Sequence, residues 1–117
     1  MAVEMSDEDF EACVDAALER IPPQLLAQVT NVAILVEEQA PDDDPDLLGF
    51  YEGTPLTERD SYYGGVLPDR IVIFRRNLKD YCASRDELVH EIGVTVAHEL
   101  AHYFGIDDER LDELGYA

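Results

Sequence analysis

Basic residues are scarce in this chain, which has 8 lysines and arginines against 27 aspartates and glutamates and a formal net charge of -19. Such a charge repels the phosphates of nucleic acids and the headgroups of anionic lipids. We therefore expect neither nucleic acid nor a membrane as a partner. The charge is consistent with simple solubility and also with the steering of a cationic substrate, so it does not by itself name a substrate.

Long apolar runs and clustered cysteines are also missing. No segment approaches the roughly 18 to 20 uninterrupted apolar residues of a membrane span, and no basic stretch precedes an apolar run near the N-terminus. Cys13 and Cys82 stand outside any CxxC or Cys/His cluster, which argues against a disulfide framework or a structural zinc knuckle. We expect a cytoplasmic protein in which both cysteines are small buried hydrophobic residues.

The remaining composition is typical of one folded domain. The chain has 117 residues, of which 46% are hydrophobic and 30% charged, enough for one core and too few for two. An acidic loop over residues 41–46 has the carboxylates of a calcium site. It lacks the alternating ligands, the glycine turn and the distal glutamate that calcium loops use, so we do not assign calcium there.

Hydrophobic periodicity predicts an α+β fold with a small mixed or hairpin-like sheet. The first helix should cover residues 7–20, capped by Ser6 and stopped by Pro22 and Pro23, with another turn or two before residue 29. The predicted strands are residues 32–36, 47–52 and 70–74, and residues 53–65 should form an irregular connection. Because residues 32–36 are all apolar, we expect that strand to lie inside the sheet.

The clearest element is a long helix that opens with the capping box Ser84-x-x-Glu87, continues to Phe104 and ends at Gly105. A short last helix should follow over residues 107–114. At 100° per residue, one side of the long helix is apolar and the other is polar. The apolar side carries Val89, Ile92, Val96, Leu100, Tyr103 and Phe104. The polar side carries Glu91, Thr95, His98 and His102.

Two histidines on the polar side have the spacing of metal ligands. His98 and His102 are four residues apart, so their Cβ atoms should lie about 5 to 6 Å from each other, and both imidazoles can reach one ion. Glu99 projects about a quarter turn away, which suits a general base that takes a proton from water better than it suits a ligand. The spacing therefore predicts a catalytic zinc site on this helix.

A catalytic zinc site needs a third protein ligand. Gly105 can adopt a positive φ and turn the chain back, which allows Asp108 to reach the ion. Asp107 and Glu109 are neighbouring alternatives, and Asp108 could instead cap the last helix. We predict Asp108 as the third ligand, completing the pattern His-Glu-x-x-His-x-x-Gly-x-x-Asp.

Other polar residues are weaker candidates. His90 lies well around the helix from the histidine pair and should be a surface or packing residue. Glu91 could contact a histidine, although a solvated acid is the simpler interpretation. Tyr62 and Tyr63 could stabilise an oxyanion or simply pack, and Tyr103 should face the apolar side.

With this pattern, the sequence resembles the zincin peptidases, and in particular the small "minimal zincin" family of bacterial, notably actinobacterial, proteins. Residues 48–59 and 67–78 resemble the central segments of that family, so the resemblance covers most of the chain. It implies a compact domain whose small sheet packs on the active-site helix. The metzincins are less similar, because they carry a third histidine where this chain has Asp108, and a methionine turn after it.

The resemblance implies a zinc-dependent peptidase that acts on a peptide or protein substrate. An extended substrate could lie against an exposed strand, for which residues 47–52 and 70–74 are the candidates. The alternative is a non-catalytic module that keeps zinc for stability or for partner binding. Glu99 favours the enzyme, because a structural zinc site does not need a base.

Overall fold

The structure is a computed structural model that describes residues 3–27, 29, 32–53, 69–106 and 109. Its elements in chain order are α1 (Asp7–Glu19), α2 (Pro23–Leu26), β1 (Val32–Glu37), β2 (Gly49–Glu52), β3 (Asp69–Phe74), α3 (Arg75–Tyr81) and α4 (Arg85–Tyr103). The α+β prediction is thereby confirmed. The predicted connection over 53–65 lies outside the described residues except for Gly53, and the predicted last helix over 107–114 lies outside them except for Glu109.

The N-terminal helices follow the predicted signals. The Ser6 hydroxyl accepts a hydrogen bond from the Asp9 backbone N–H at 3.1 Å, which satisfies one of the unpaired donors of the first turn of α1. Phe10, Val14 and Ala17 form the buried face of α1. Pro22 then precedes the single turn of α2, as expected for a residue that cannot continue a helix.

The sheet is mixed, and β3 is its central strand among those described. β1 pairs with β3 in parallel and β2 pairs with β3 antiparallel, giving the order β1-β3-β2. The prediction that β1 lies inside the sheet is wrong for these strands. Leu35 of β1 is 41% exposed, whereas Val72, its partner in β3, is 1% exposed. An apolar run shows that a strand is partly buried, but not how many neighbours it has.

Helix α3 was not predicted from the sequence. It starts directly after β3, and its N-cap residue Phe74 makes no side-chain capping bond. Leu78 is its only buried side chain. A helix with one buried residue produces no hydrophobic period, so the pattern gave no signal for it.

Helix α4 begins as the capping box predicts. The Ser84 hydroxyl accepts a hydrogen bond from the Glu87 backbone N–H at 3.1 Å, and the Glu87 carboxylate accepts one from Ala83 at 3.4 Å. The C-terminal end closes with a Schellman turn, in which Gly105 has φ 84° and the Ile106 backbone N–H donates to the Ala101 carbonyl at 3.0 Å.

The apolar face of α4 packs against α1 and the sheet and contributes more residues to the main buried cluster than any other described element. This face consists of Leu88, Ile92, Val96, Leu100 and Tyr103, which are all 0–2% exposed. Leu88, which was not predicted, joins this face, whereas the predicted Val89 and Phe104 are half-buried and pack against the core. Ile71 and Ile73 of β3 meet this face in the same cluster.

Of the two cysteines, Cys82 is buried as expected, and Cys13 is half-buried. Burial raises the pKa of the Cys82 thiol to about 11, and the negative charges of Glu87 and Glu91 act in the same direction.

Among the described residues, no helix combines the length and the apolar character needed to cross a bilayer.

Candidate metal centre

His98, Glu99 and His102 lie together on the last turns of α4. One potential ligand atom from each residue can be chosen so that all three lie within 4.8 Å of one another. The two imidazole rings meet edge to face, with 4.7 Å between their centroids. The predicted sharing of one helix side by the two histidines, here called the histidine face, is therefore confirmed.

The proton of His102 is placed by a backbone carbonyl. His102 Nδ1 lies 3.0 Å from the Ile106 carbonyl oxygen. Because a carbonyl can only accept, Nδ1 must carry the hydrogen, and Nε2 then carries the lone pair that a metal ion would use. The Schellman turn at Gly105 brings the Ile106 carbonyl to this position, so the glycine helps to orient a histidine as well as to redirect the chain.

Glu99 differs from the histidines in its burial. It is 8% exposed, whereas His98 and His102 are half-buried. The aliphatic part of its side chain, here called the stem, faces β2. A Cβ built on Gly49 of that strand would lie 3.3 Å from Glu99 Cγ. A carboxylate kept from bulk water beside two imidazoles is suited to proton transfer.

Thr95 lies on the same side of α4 as the histidines, as the helical spacing predicts, but unlike them it is buried. It is 5% exposed and lies against β2, where a Cβ on Gly49 would be 2.6 Å from Thr95 Cγ2. Helical periodicity places Thr95 near His98 and His102 on the wheel, but it does not show where a neighbouring strand will cover the helix. Thr95 and Glu99 both contribute to the contact of α4 with β2.

A polar pair joins β2 to β3 and was not predicted from the sequence. The Tyr51 hydroxyl donates a hydrogen bond to Asp69 Oδ2 at 2.5 Å, and Asp69 is 3% exposed. The Tyr51 ring meets Tyr103 edge to face at 6.2 Å, and Tyr103 is fully buried on the apolar side as predicted. The pair links β2 and β3 beneath the C-terminal end of α4.

The other predicted residues have different outcomes. His90 is exposed, as expected for a surface residue, and Glu91 is half-buried. Asp108, its neighbour Asp107, Tyr62 and Tyr63 lie outside the described residues, and Glu109 is exposed. Within the described part of the chain, the acidic loop contributes no group of metal donors.

The donor set is suited to a zinc-type ion. Two imidazole nitrogens accompanied by carboxylate oxygen match the ligands of zinc, whereas calcium and magnesium prefer sites made of oxygen. The carbonyl contact of His102 is the kind of outer contact that orients metal-binding histidines. The residues present therefore fit a zinc ion.

A family model described as zincin-like metallopeptidase matches residues 29–116. The matched region includes the whole sheet, α3 and α4, and with them every residue of the candidate centre. A search of curated proteins found no match.

Proposed function

The chain belongs to the family of zincin-like metallopeptidases, and from this membership we propose that it is a zinc-dependent peptidase acting on peptide or protein substrates. The observation that carries the proposal is the convergence of His98, Glu99 and His102 within 4.8 Å. We also propose a cytoplasmic location, which the free thiols of Cys13 and Cys82 support.

His98, His102 and Asp108 would hold the ion. The orientation of His102 by the Ile106 carbonyl supports its part in this set. The spacing of three residues from Gly105, whose φ is 84°, supports Asp108. When bound, zinc would supply a Lewis acid that polarises water and the scissile carbonyl.

Glu99 is the proposed general base. Its carboxylate would accept a proton from the attacking water and deliver it to the leaving amine. Its low exposure and its position beside the two histidines support this role. The net charge of -19 favours substrates rich in lysine and arginine through long-range attraction.

The test compares the native protein with Glu99→Gln. Glutamine keeps nearly the same volume but cannot accept the proton at neutral pH. We expect about one equivalent of zinc in both proteins by elemental analysis. Hydrolysis of a peptide library enriched in lysine and arginine should fall by about 10² to 10⁴ in the variant.

His90, on the same helix but outside the histidine face, gives the matched control. His90→Ala should leave both zinc content and hydrolysis unchanged. Zinc binding by the native protein without cleavage of any peptide would favour the non-catalytic zinc module instead. Cleavage by Glu99→Gln at a near-native rate with zinc bound would remove Glu99 from the role of base.

A further inference from the structure

The contact between β2 and α4 contains a position where no side chain fits. A Cβ built on Gly49 would lie 2.6 Å from Thr95 Cγ2, 3.2 Å from the Val72 carbonyl oxygen and 3.3 Å from Glu99 Cγ. The first distance is shorter than any ordinary carbon contact, because carbon atoms pack at about 3.5 to 4.0 Å. Gly49 thus allows the helix to lie directly on the strand backbone.

The two helix residues at this contact are neighbours on one face. Thr95 and Glu99 are four residues apart, and both are buried, at 5% and 8% exposure. Thr95 is β-branched, so its side chain has little freedom to move away from a new methyl group. An added side chain at position 49 would have to displace the helix or the stem of Glu99.

Glu99 needs a fixed stem more than the histidines do. Glutamate has several rotatable bonds, and an unsupported carboxylate samples many positions. A base must instead be within hydrogen-bond reach of the proton that it takes. The missing side chain of Gly49 leaves the space beside the Glu99 stem open, because an added Cβ would lie 3.3 Å from Cγ, just before the carboxylate.

We propose that Gly49 is a positioning residue for Glu99, because the absence of a side chain there leaves the space that the glutamate stem needs to keep its carboxylate beside His98 and His102. The inference rests on the proposed function, since it concerns the same glutamate. It goes further by assigning a role in the reaction to a residue of β2 that bears no functional group.

The experiment uses Gly49→Ala with two readouts. One is kcat and KM on a peptide that the native protein cleaves. The other is the visible absorption spectrum of the protein loaded with Co²⁺, which reports the surroundings of the ion without requiring turnover. Glu99→Gln loaded with Co²⁺ is the reference for a site that has lost the carboxylate.

We expect Gly49→Ala to lower kcat by about 10- to 100-fold with KM little changed, because a displacement of about 1 Å is enough for such a loss. Co²⁺ should still bind, with a spectrum shifted from the native one toward that of Glu99→Gln. Gly93→Ala is the matched control within α4, where the nearest atom to the new Cβ is Arg20 Nη1 at 3.5 Å, an ordinary contact. It should change neither readout.

A second pair of variants covers the case in which Gly49→Ala does not fold. Thr95→Ser removes Cγ2, the atom in the shortest contact, and leaves the contact with Glu99. In the Thr95→Ser background, Gly49→Ala should fold and still lower kcat several-fold relative to Thr95→Ser alone. Its Co²⁺ spectrum should shift in the same direction.

A folded Gly49→Ala protein with native kcat and a native Co²⁺ spectrum would overturn the inference, and so would a rise in KM at constant kcat. Failure of the proposed function gives a different result. If the native protein binds Co²⁺ but cleaves no peptide, the spectrum alone still decides the role of Gly49. If the native protein binds neither Zn²⁺ nor Co²⁺, both proposals are wrong.

Discussion

The apolar face and the histidine face of α4 share one backbone but differ in their contact with water. Leu88, Ile92 and Val96 are completely buried, whereas His98 and His102 are half-buried. Removing apolar side chains from water stabilises the fold, while half-exposed imidazoles remain accessible from solution. From this difference we expect that stability and metal binding can be altered separately within one helix.

Glu99 lies at the boundary between these faces. It is nearly as buried as the core residues, at 8% exposure, yet it converges with the two histidines. Its surroundings are set by β2 and not by α4 alone. Packing and the proposed chemistry therefore depend on each other at this residue.

The largest expected effect on stability comes from the apolar face. Ile92→Ala should lower the free energy of unfolding of the metal-free protein by about 2 to 5 kcal/mol, through lost burial and a remaining cavity. Urea denaturation measures this change. The folded fraction should still bind about one equivalent of zinc. Loss of zinc from the folded variant would show that the two faces cannot be altered separately. The control His90→Ala should have a free energy of unfolding within about 0.5 kcal/mol of the native value.

The histidine face should show the opposite behaviour. At free zinc about 100-fold above Kd, the native protein should gain about 2.7 kcal/mol of stability, and His102→Ala should gain none. Without metal, His102→Ala should be less stable than the native protein by only about 0.5 to 1.5 kcal/mol, which is the usual value of one hydrogen bond such as that to the Ile106 carbonyl. Thermal unfolding with and without a chelator measures both quantities. Complete unfolding of the native protein on chelation would mean that the ion is structural.

The smallest effect at neutral pH concerns Cys82, which closes the core beside the start of α4. Burial, assisted by Glu87 and Glu91, raises the pKa of its thiol from 9.0 to about 11. Because the folded pKa is above the unfolded one, the thiol contributes no pH dependence below about pH 9. Its contribution to stability should be lost progressively as the pH rises from about 9 to about 11.

The rate at which each cysteine is alkylated tests the raised pKa of Cys82, because the thiolate is the reactive form. In the native protein at pH 8, Cys82 should react more slowly than the half-buried Cys13, and both should react at similar rates in denaturant. Equal native rates would show that the core opens at Cys82.

The predictable part of the fold consists of features with local signals. The Ser84 capping box, the Gly105 turn and the four-residue spacing of His98 and His102 each depend on residues within two turns of a helix. Helix geometry converts such spacings directly into positions in space. The ends of α4 and the pairing of its histidines therefore follow from the sequence alone.

The parts that were not predicted involve residues that are distant in the chain. Tyr51 and Asp69 are 18 residues apart, and no pattern in the sequence pairs them. The edge position of β1 among the described strands depends on which strands pair with it, and α3 has too few buried residues to show a period. These features arise when elements pack, and periodicity carries no information about the partner.

The local sequence of α4 is enough to bring two imidazoles and a carboxylate together, because residues at helical spacing project close to one another wherever the helix lies. How that carboxylate is held depends on the packing of α4 against β2. Gly49 and Glu99 are 50 residues apart, and their contact exists only because α4 packs on β2 at the one described position of the strand where a missing side chain lets the backbones approach. Close packing, which tolerates neither a gap nor an extra methyl group, is the physical reason.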